Sequence, residues 1–200
     1  MPRTDQQLAE LREESRTRIL QGAMELFARY GYTKTSVRMI ADHTGIAQGL
    51  MYRYFASKEA LLRAVLDSFM QQVAQILAEA GTASDPFEHL AQIIRLSFEL
   101  IQQQPDSWQL FYAIRVQPDV VAGLHEEINI LSVALMQQLE IPFRRASIAN
   151  AHNEAAILFA IIDGVCQQYV INRTIYPLQA VTTAVLAKYS RATLTGATSQ

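Results

Sequence analysis

The chain has 200 residues, half of them hydrophobic, a net charge of −2 and a single cysteine, enough to bury a core in one generous domain or in a small domain joined to a larger one. One cysteine, Cys166, excludes an internal disulfide and fits a reducing compartment; the polar start Met1-Pro2-Arg3-Thr4-Asp5 and an apolar run from Ala155 to Ile162 that stops at Asp163 predict a cytoplasmic protein with no export signal and no membrane span. The acidic total argues against nucleic acid, yet residues 1–60 carry nine Lys/Arg against seven Asp/Glu and the remainder eight against twelve, an asymmetry of the right sign for a DNA-binding N-terminal part.

No segment shows sustained two-residue alternation with β-branched enrichment, so the fold is predicted to be all-α. The first helix starts near Thr4 or Asp5, with Gln7 completing a weak capping box, and runs to Tyr30; Leu8, Leu11, Ile19, Ala23, Leu26, Phe27 and Tyr30 form its apolar face, and Gly31 ends it in a left-handed conformation. Thr35 or Ser36 caps a second helix with Val37, Ile40 and Ala41 inward, and Gly45 breaks it. A third short helix spans Ala47 to Phe55, with Phe55 in the core. Ser57 caps a fourth that reaches about Ala80, ahead of Gly81. Longer amphipathic helices follow at about 85–104, 106–116, 118–139, 147–173 and 178–193, with Pro86, Pro105, Pro118, Pro142 and Pro177 at their starts or in connections.

The segment Thr35 to Lys58, TSVRMIADHTGIAQGLMYRYFASK, carries the function. Two short helices joined by a glycine-containing turn specify a helix-turn-helix. Ala41 is small where the helices cross, Gly45 frees the turn, and Ile46 anchors it. The third helix can then lie in the major groove of DNA.

From about Arg16 to Leu66 the sequence resembles the TetR family of transcription regulators, through Ile19-Leu20, Ala23, Leu26-Phe27, Gly31-Tyr32, Thr35-Ser36-Val37, Ile40-Ala41, Gly45-Ile46, Gly49, Tyr52-Arg53-Tyr54-Phe55 and Ser57-Lys58-Glu59-Ala60-Leu61-Leu62. The resemblance implies an N-terminal three-helix helix-turn-helix domain, residues 1–58, and a larger C-terminal helical domain for ligand binding and dimerisation, residues 59–200. It places Arg38 and Gln48 on base edges and Tyr52, Tyr54 and Lys58 on phosphates, with Gly49 and Arg53 completing the set. Side-chain chemistry agrees: Arg pairs with guanine O6 and N7, Gln with adenine N6 and N7, and hydroxyl and ammonium groups position the protein on the backbone. Thr35 and Ser36 stand at a helix N-terminus suited to a phosphate. Ala47 replaces the hydroxyl residue many members carry and keeps only a methyl for a thymine methyl. His43 reads as a surface residue.

In the larger domain the run Ala155 to Val165 is apolar nearly all round, as in a helix buried on more than one side. With the last helix, bearing Leu178, Val181, Val185, Leu186 and Tyr189, it is similar to the pair that in this family builds a four-helix bundle between two subunits. A homodimer reading half-sites on a palindromic operator of double-stranded DNA follows. Phe98, Trp108, Phe111, Tyr112, Arg115, His125, Met136, Asp163 and Gln167 are the candidate contacts for a partly hydrophobic small molecule. Asp163, inside an apolar helix, must meet Arg115, another donor, or the ligand. The resemblance implies a repressor that the small molecule releases from DNA, the fourth helix moving the head. An activator, or a ligand-independent DNA-binding protein on the same fold, is the alternative.

Enzymatic activity has no support in the residues. His43, His89, His125 and His152 include no i, i+4 pair, and neither a phosphate loop nor a nucleophile motif occurs. No catalytic residue, metal or cofactor is expected.

Overall fold

Thr4 opens the first helix, α1 (Asp5–Tyr30): the Gln7 N–H donates to the Thr4 hydroxyl oxygen and the Thr4 N–H to Gln7 Oε1, the reciprocal box read from the sequence. This computed structural model describes residues 4–81, 83–115 and 124–196. The burial of α1 differs from expectation. Ile19, Ala23, Leu26 and Phe27 are buried, but Leu8, Leu11 and Tyr30 are exposed, and residues 6–14 are open to solvent on every side. The apolar periodicity of the first turns has no neighbour to pack against. Gly31 closes the helix at a positive φ of 80° but with an extended ψ, not the left-handed conformation expected.

Ser36 caps α2 (Val37–Thr44), its hydroxyl accepting from the Met39 N–H. Gly45, at φ 67° and ψ 24°, is left-handed, so the chain turns within three residues into α3 (Gln48–Tyr54). Ile46 is buried beneath the turn and its N–H reaches the Ala41 carbonyl. Ala47 stands at the N-cap of α3 and supplies no side-chain cap, a lack that costs about 1 kcal/mol relative to a hydroxyl residue. Ser57 accepts from the Ala60 N–H and starts α4 (Lys58–Ala80).

The larger part comprises α5 (Pro86–Gln103), α6 (Pro105–Arg115), α7 (Leu124–Arg145), α8 (Ala151–Ile171), α9 (Leu178–Lys188) and α10 (Arg191–Thr195). The predicted helix start at 118 falls outside the described residues, as does Pro118. Pro142 is not in a connection but within the last turn of α7. That position loses a backbone donor, yet the adjacent Phe143 is completely buried and meets the Tyr189 ring edge-on at 5.9 Å, which holds the turn in place. The single last helix expected at 178–193 divides at Ser190. Its side chain accepts from the Thr193 N–H and donates to the Ala187 carbonyl, ending one helix and capping the next.

One continuous cluster of buried side chains runs from Ile19 in α1 through Leu62, Ile94 and Phe111 to Tyr189. Within it α8 packs on α5, α6, α7 and α9, and α6 packs on both α1 and α8. Among the described residues α8 is the one helix long and apolar enough to cross a membrane by length and composition.

Candidate functional site

The short pair α2 and α3 has a buried and an open side. Ile40, Ala41 and Thr44 of α2 and Met51 of α3 are buried. Ser36, Arg38, Ala47, Gln48, Gly49, Tyr52 and Arg53 are exposed, and Tyr54 is half-buried. The Arg38 side chain is 81% exposed and makes only a loose 3.8 Å approach to Asp42 on its own helix, so its guanidinium is available to a partner. Tyr52 is 50% exposed, a large fraction for an aromatic ring whose body gains from burial.

Two members of the predicted contact set are placed otherwise. Thr35 is 1% exposed, and its hydroxyl donates to the carbonyls of Leu26 and Gly31, fastening the loop to the end of α1. It cannot meet a phosphate from there, and Ser36 alone keeps the open helix end. Lys58 is half-buried; its Nζ donates to the carbonyls of Tyr32, Thr33 and Thr35 and sits over the Tyr32 ring. An ammonium has three donors, so this cation is used internally. Burial holds its pKa below the ordinary lysine value.

The seating of the head on α1 involves residues that sequence reasoning passed over. A Cβ on Gly22 would lie 2.4 Å from Thr44 Cγ2, so α1 and α2 approach closely at Gly22. A glycine inside an otherwise regular helix was the available signal. His43 is exposed, as expected, and its Nε2 pairs with Glu25 of α1 at 2.9 Å.

In the larger domain a cavity of about 80 Å³ opens between α4, α5, α6, α7 and α8. Of the predicted ligand residues, Trp108, Phe111, Tyr112, Arg115 and Asp163 line it. Phe98 is buried in the core and borders only a surface crevice beside Leu178. Gln167 is exposed, and Met136 is half-buried away from the cavity wall. His125 lies on α7, and its side chain is outside the described residues. Periodicity placed aromatic residues on the middle helices but could not tell wall from core. Met70, Ile93, Leu135 and Phe159 also line the cavity and carried no signal, because apolar residues at helical spacing are core by default.

Asp163 is paired as its position demands. Arg115 reaches its carboxylate at 2.8 Å, and the Tyr112 hydroxyl donates to both the carboxylate and the backbone carbonyl of Asp163 at 3.2 Å. Burial, reinforced by Cys166 and Asp163, keeps the Tyr112 hydroxyl protonated far above the usual tyrosine range. Cys166 is buried on the same wall with its thiol pushed up to about 12 by burial, which makes it unreactive. Trp108 stacks on Tyr112 and meets Phe69 edge-on, while its Nε1–H, shut off from solvent, has no acceptor.

Helix α6 also touches α1. Gln109 Nε2 donates to the Ala28 carbonyl of α1, and Gln109 Oε1 accepts from Arg173, which also pairs with Asp106 at 2.9 Å. On the far side, Ile157 and Ile171 of α8 are exposed, Ile171 to 64%, and Ile175 in the following loop to 78%. Val181 and Leu186 of α9 are only partly buried.

Residues 19–65 match the model for bacterial regulatory proteins of the tetR family. A curated relative, the HTH-type transcriptional repressor KstR2 of Mycolicibacterium smegmatis, is 38% identical over 107 residues, which are 52% of this chain and 49% of that protein. The chain thus spans about half the length of the curated relatives it matches. Among solved structures, the transcriptional regulator FadR of Bacillus subtilis in complex with stearoyl-CoA superposes with a TM-score of 0.72 at 22% identity, covering 88% of this chain and 97% of that one. A transcriptional regulator of Saccharomonospora viridis in complex with choline gives 0.77 at 21% identity, covering 88% and 95%. At these identities the structural likeness carries the fold alone.

Proposed function

We propose, for a chain that belongs to the tetR family of bacterial regulatory proteins through residues 19–65, that it is a homodimeric repressor released from a palindromic DNA operator by a small molecule. The observation that carries the DNA-binding part is the two-sided head: Ile40, Ala41 and Met51 buried, with Arg38, Gln48, Tyr52 and Arg53 open to solvent on two short helices turned at Gly45. Arg38 and Gln48 read base edges, while Ser36, Tyr52, Arg53 and Tyr54 position the head on phosphates, and the exposed Ala47 and Gly49 allow close approach of the backbone. Such a protein works in the cytoplasm, where the bacterial chromosome lies.

One short recognition helix spans too few base pairs for useful specificity, and two heads reading half-sites about one helical turn apart meet the need. A seat for the second copy on α8, α9 and the loop between them is supported by exposed Ile157, Ile171 and Ile175 and by the partly open Val181 and Leu186, apolar side chains of the kind a partner covers.

Control by a ligand rests on the cavity and on α6, which lines it and also holds α1 through Gln109. A molecule that prefers one arrangement of α6 opposes or favours the DNA-bound spacing of the heads, and DNA alters ligand affinity by the same factor. This route runs through α6 as well as the fourth helix. Selection of bound duplexes from a random pool tests the whole: a pseudo-palindrome is expected, whereas absence of affinity for any duplex at low salt removes the reading.

A further inference from the structure

Resting on the reading of a two-headed DNA-binding regulator, we propose that Arg173 is a positioning residue. By holding the Gln109 amide in one orientation it fixes the angle between α1 and the body of the chain, and with it the spacing of operator half-sites that the protein accepts.

Arg173 stands in the loop after α8, outside both the DNA-contact set and the cavity wall. That loop is a closed turn. The N–H groups of Ile175 and Tyr176 donate to the Asn172 carbonyl at 3.1 and 2.9 Å, and Tyr176 packs against the core. From this fixed backbone the Arg173 Nη2 donates to Asp106 at 2.9 Å and to Gln109 Oε1 at 3.0 Å, two residues one turn apart on α6.

The chemistry of the amide gives that contact its consequence. A glutamine side chain carries an acceptor oxygen on one side and N–H donors on the other, whereas arginine only donates. With Arg173 on the oxygen, the Gln109 N–H groups face the opposite way, where Nε2 donates to the Ala28 carbonyl of α1 at 3.3 Å. Without Arg173 the oxygen takes its donor from water, and the amide is free to swing off α1. The link continues into the head. Glu25, one turn before Ala28, pairs with His43 of α2 at 2.9 Å, and Gly22 lies against Thr44. Glu25, Ala28 and Arg29 face Asp106, Gln109 and Arg173 across one crevice.

Ile171 and Ile175, both exposed, flank Arg173 in the chain. A second copy seated on them presses on the turn that holds Arg173, so the bonded path runs from the partner's seat to the head. Partly exposed ion pairs add little to stability, and the clamp should therefore show in geometry rather than in melting temperature. Neighbouring half-site spacings differ by about 3.4 Å along the duplex, a step that a loosened α1 absorbs and a clamped one refuses.

Spin labels at Asp42→Cys of α2 and Gln102→Cys of α5, both exposed positions, read the distance from head to body, while the buried Cys166 stays unlabelled. Labelled full chain is diluted in unlabelled chain, so that only distances within one chain count. The distribution should be narrow without further change and should widen in Arg173→Met and in Gln109→Leu, the double variant being no wider than either single one. The same two substitutions in the otherwise unaltered chain are then offered the selected half-site as inverted repeats at spacings stepped by one base pair over about one helical turn. Half-site sequence should be unchanged, and preference for the favoured spacing over its neighbours should fall about threefold. A distribution as narrow in Arg173→Met as without it, additive widening in the double variant, or a spacing preference that survives Arg173→Met would overturn the proposal. Narrow distances throughout with a sharp palindrome remove the clamp and leave the regulator reading. Widened distances with no duplex affinity remove the regulator reading and leave the clamp.

Discussion

Lys58 Nζ lies 2.9 Å from the Tyr32 carbonyl oxygen and 4.3 Å from the centre of the Tyr32 ring. The first residue of α4 thereby clamps the loop that leads into α2. Replacing Lys58 with Met should cost about 1–3 kcal/mol of stability, the range for hydrogen bonds to a charged group, and weaken DNA binding only through a loosened head. Thermal unfolding paired with a salt titration of DNA affinity checks it. A salt slope lower by about one unit with unchanged stability would return Lys58 to the phosphate role that the family resemblance gives it.

Arg38 and Gln48 should behave as readers of sequence. Arg38→Ala and Gln48→Ala are each expected to cost about 1–3 kcal/mol on the preferred duplex and to relax selection at one position per half-site. Both side chains are open to solvent, so thermal stability should move by less than about 0.5 kcal/mol. Selection from a random duplex pool with each variant measures the change. Unaltered base preference in both would move them off the base edges.

Gly22→Ala sets two effects against each other. Alanine is the better helix former by up to about 1 kcal/mol, but its methyl would fall 2.4 Å from Thr44 Cγ2, a buried group with little room to yield. Overpacking of this kind costs about 1–3 kcal/mol, so the variant should be less stable and bind DNA less well. Thr44→Ser removes the opposing methyl and keeps the hydroxyl that donates to the Ile40 carbonyl. The double variant should regain most of the loss in chemical denaturation.

His89 is buried with Nδ1 unpartnered, and burial, assisted by the nearby Arg145 charge, lowers its pKa from 6.5. Below about pH 6.5 the unfolded chain therefore binds a proton that the folded chain refuses. Stability should fall as pH drops through that window and level off below the folded-state pKa, at a slope of at most about 1.4 kcal/mol per pH unit. His89→Leu should remove this component from denaturation curves taken between about pH 8 and pH 5. An unchanged slope would assign the acid sensitivity to other groups.

The helical class and the helix-turn-helix were legible because periodicity, caps and the turn glycine agree locally: Thr4, Ser36, Gly45 and Ser57 each end or begin a helix where the sequence puts the break. What the sequence left open depends on partners across the fold. Thr35 and Lys58 carry the right chemistry for phosphates, and only tertiary packing turns both inward. The Arg115–Asp163 pair was foreseeable, since an isolated carboxylate in an apolar helix demands a cation. Which aromatic rings face a hollow was not, because Phe98 and Phe111 occupy equivalent-looking helix faces and only the second borders the cavity.

Helix α6 is 11 residues long, a rod of about 16 Å. Trp108 borders the hollow from it, and the very next residue, Gln109, grips α1. On the proposed ligand control, a guest that displaces Trp108 tilts the same short rod that carries Gln109. On that reading taste and message are written in neighbouring letters: alterations that retune which guest is accepted should also retune how strongly its arrival is announced.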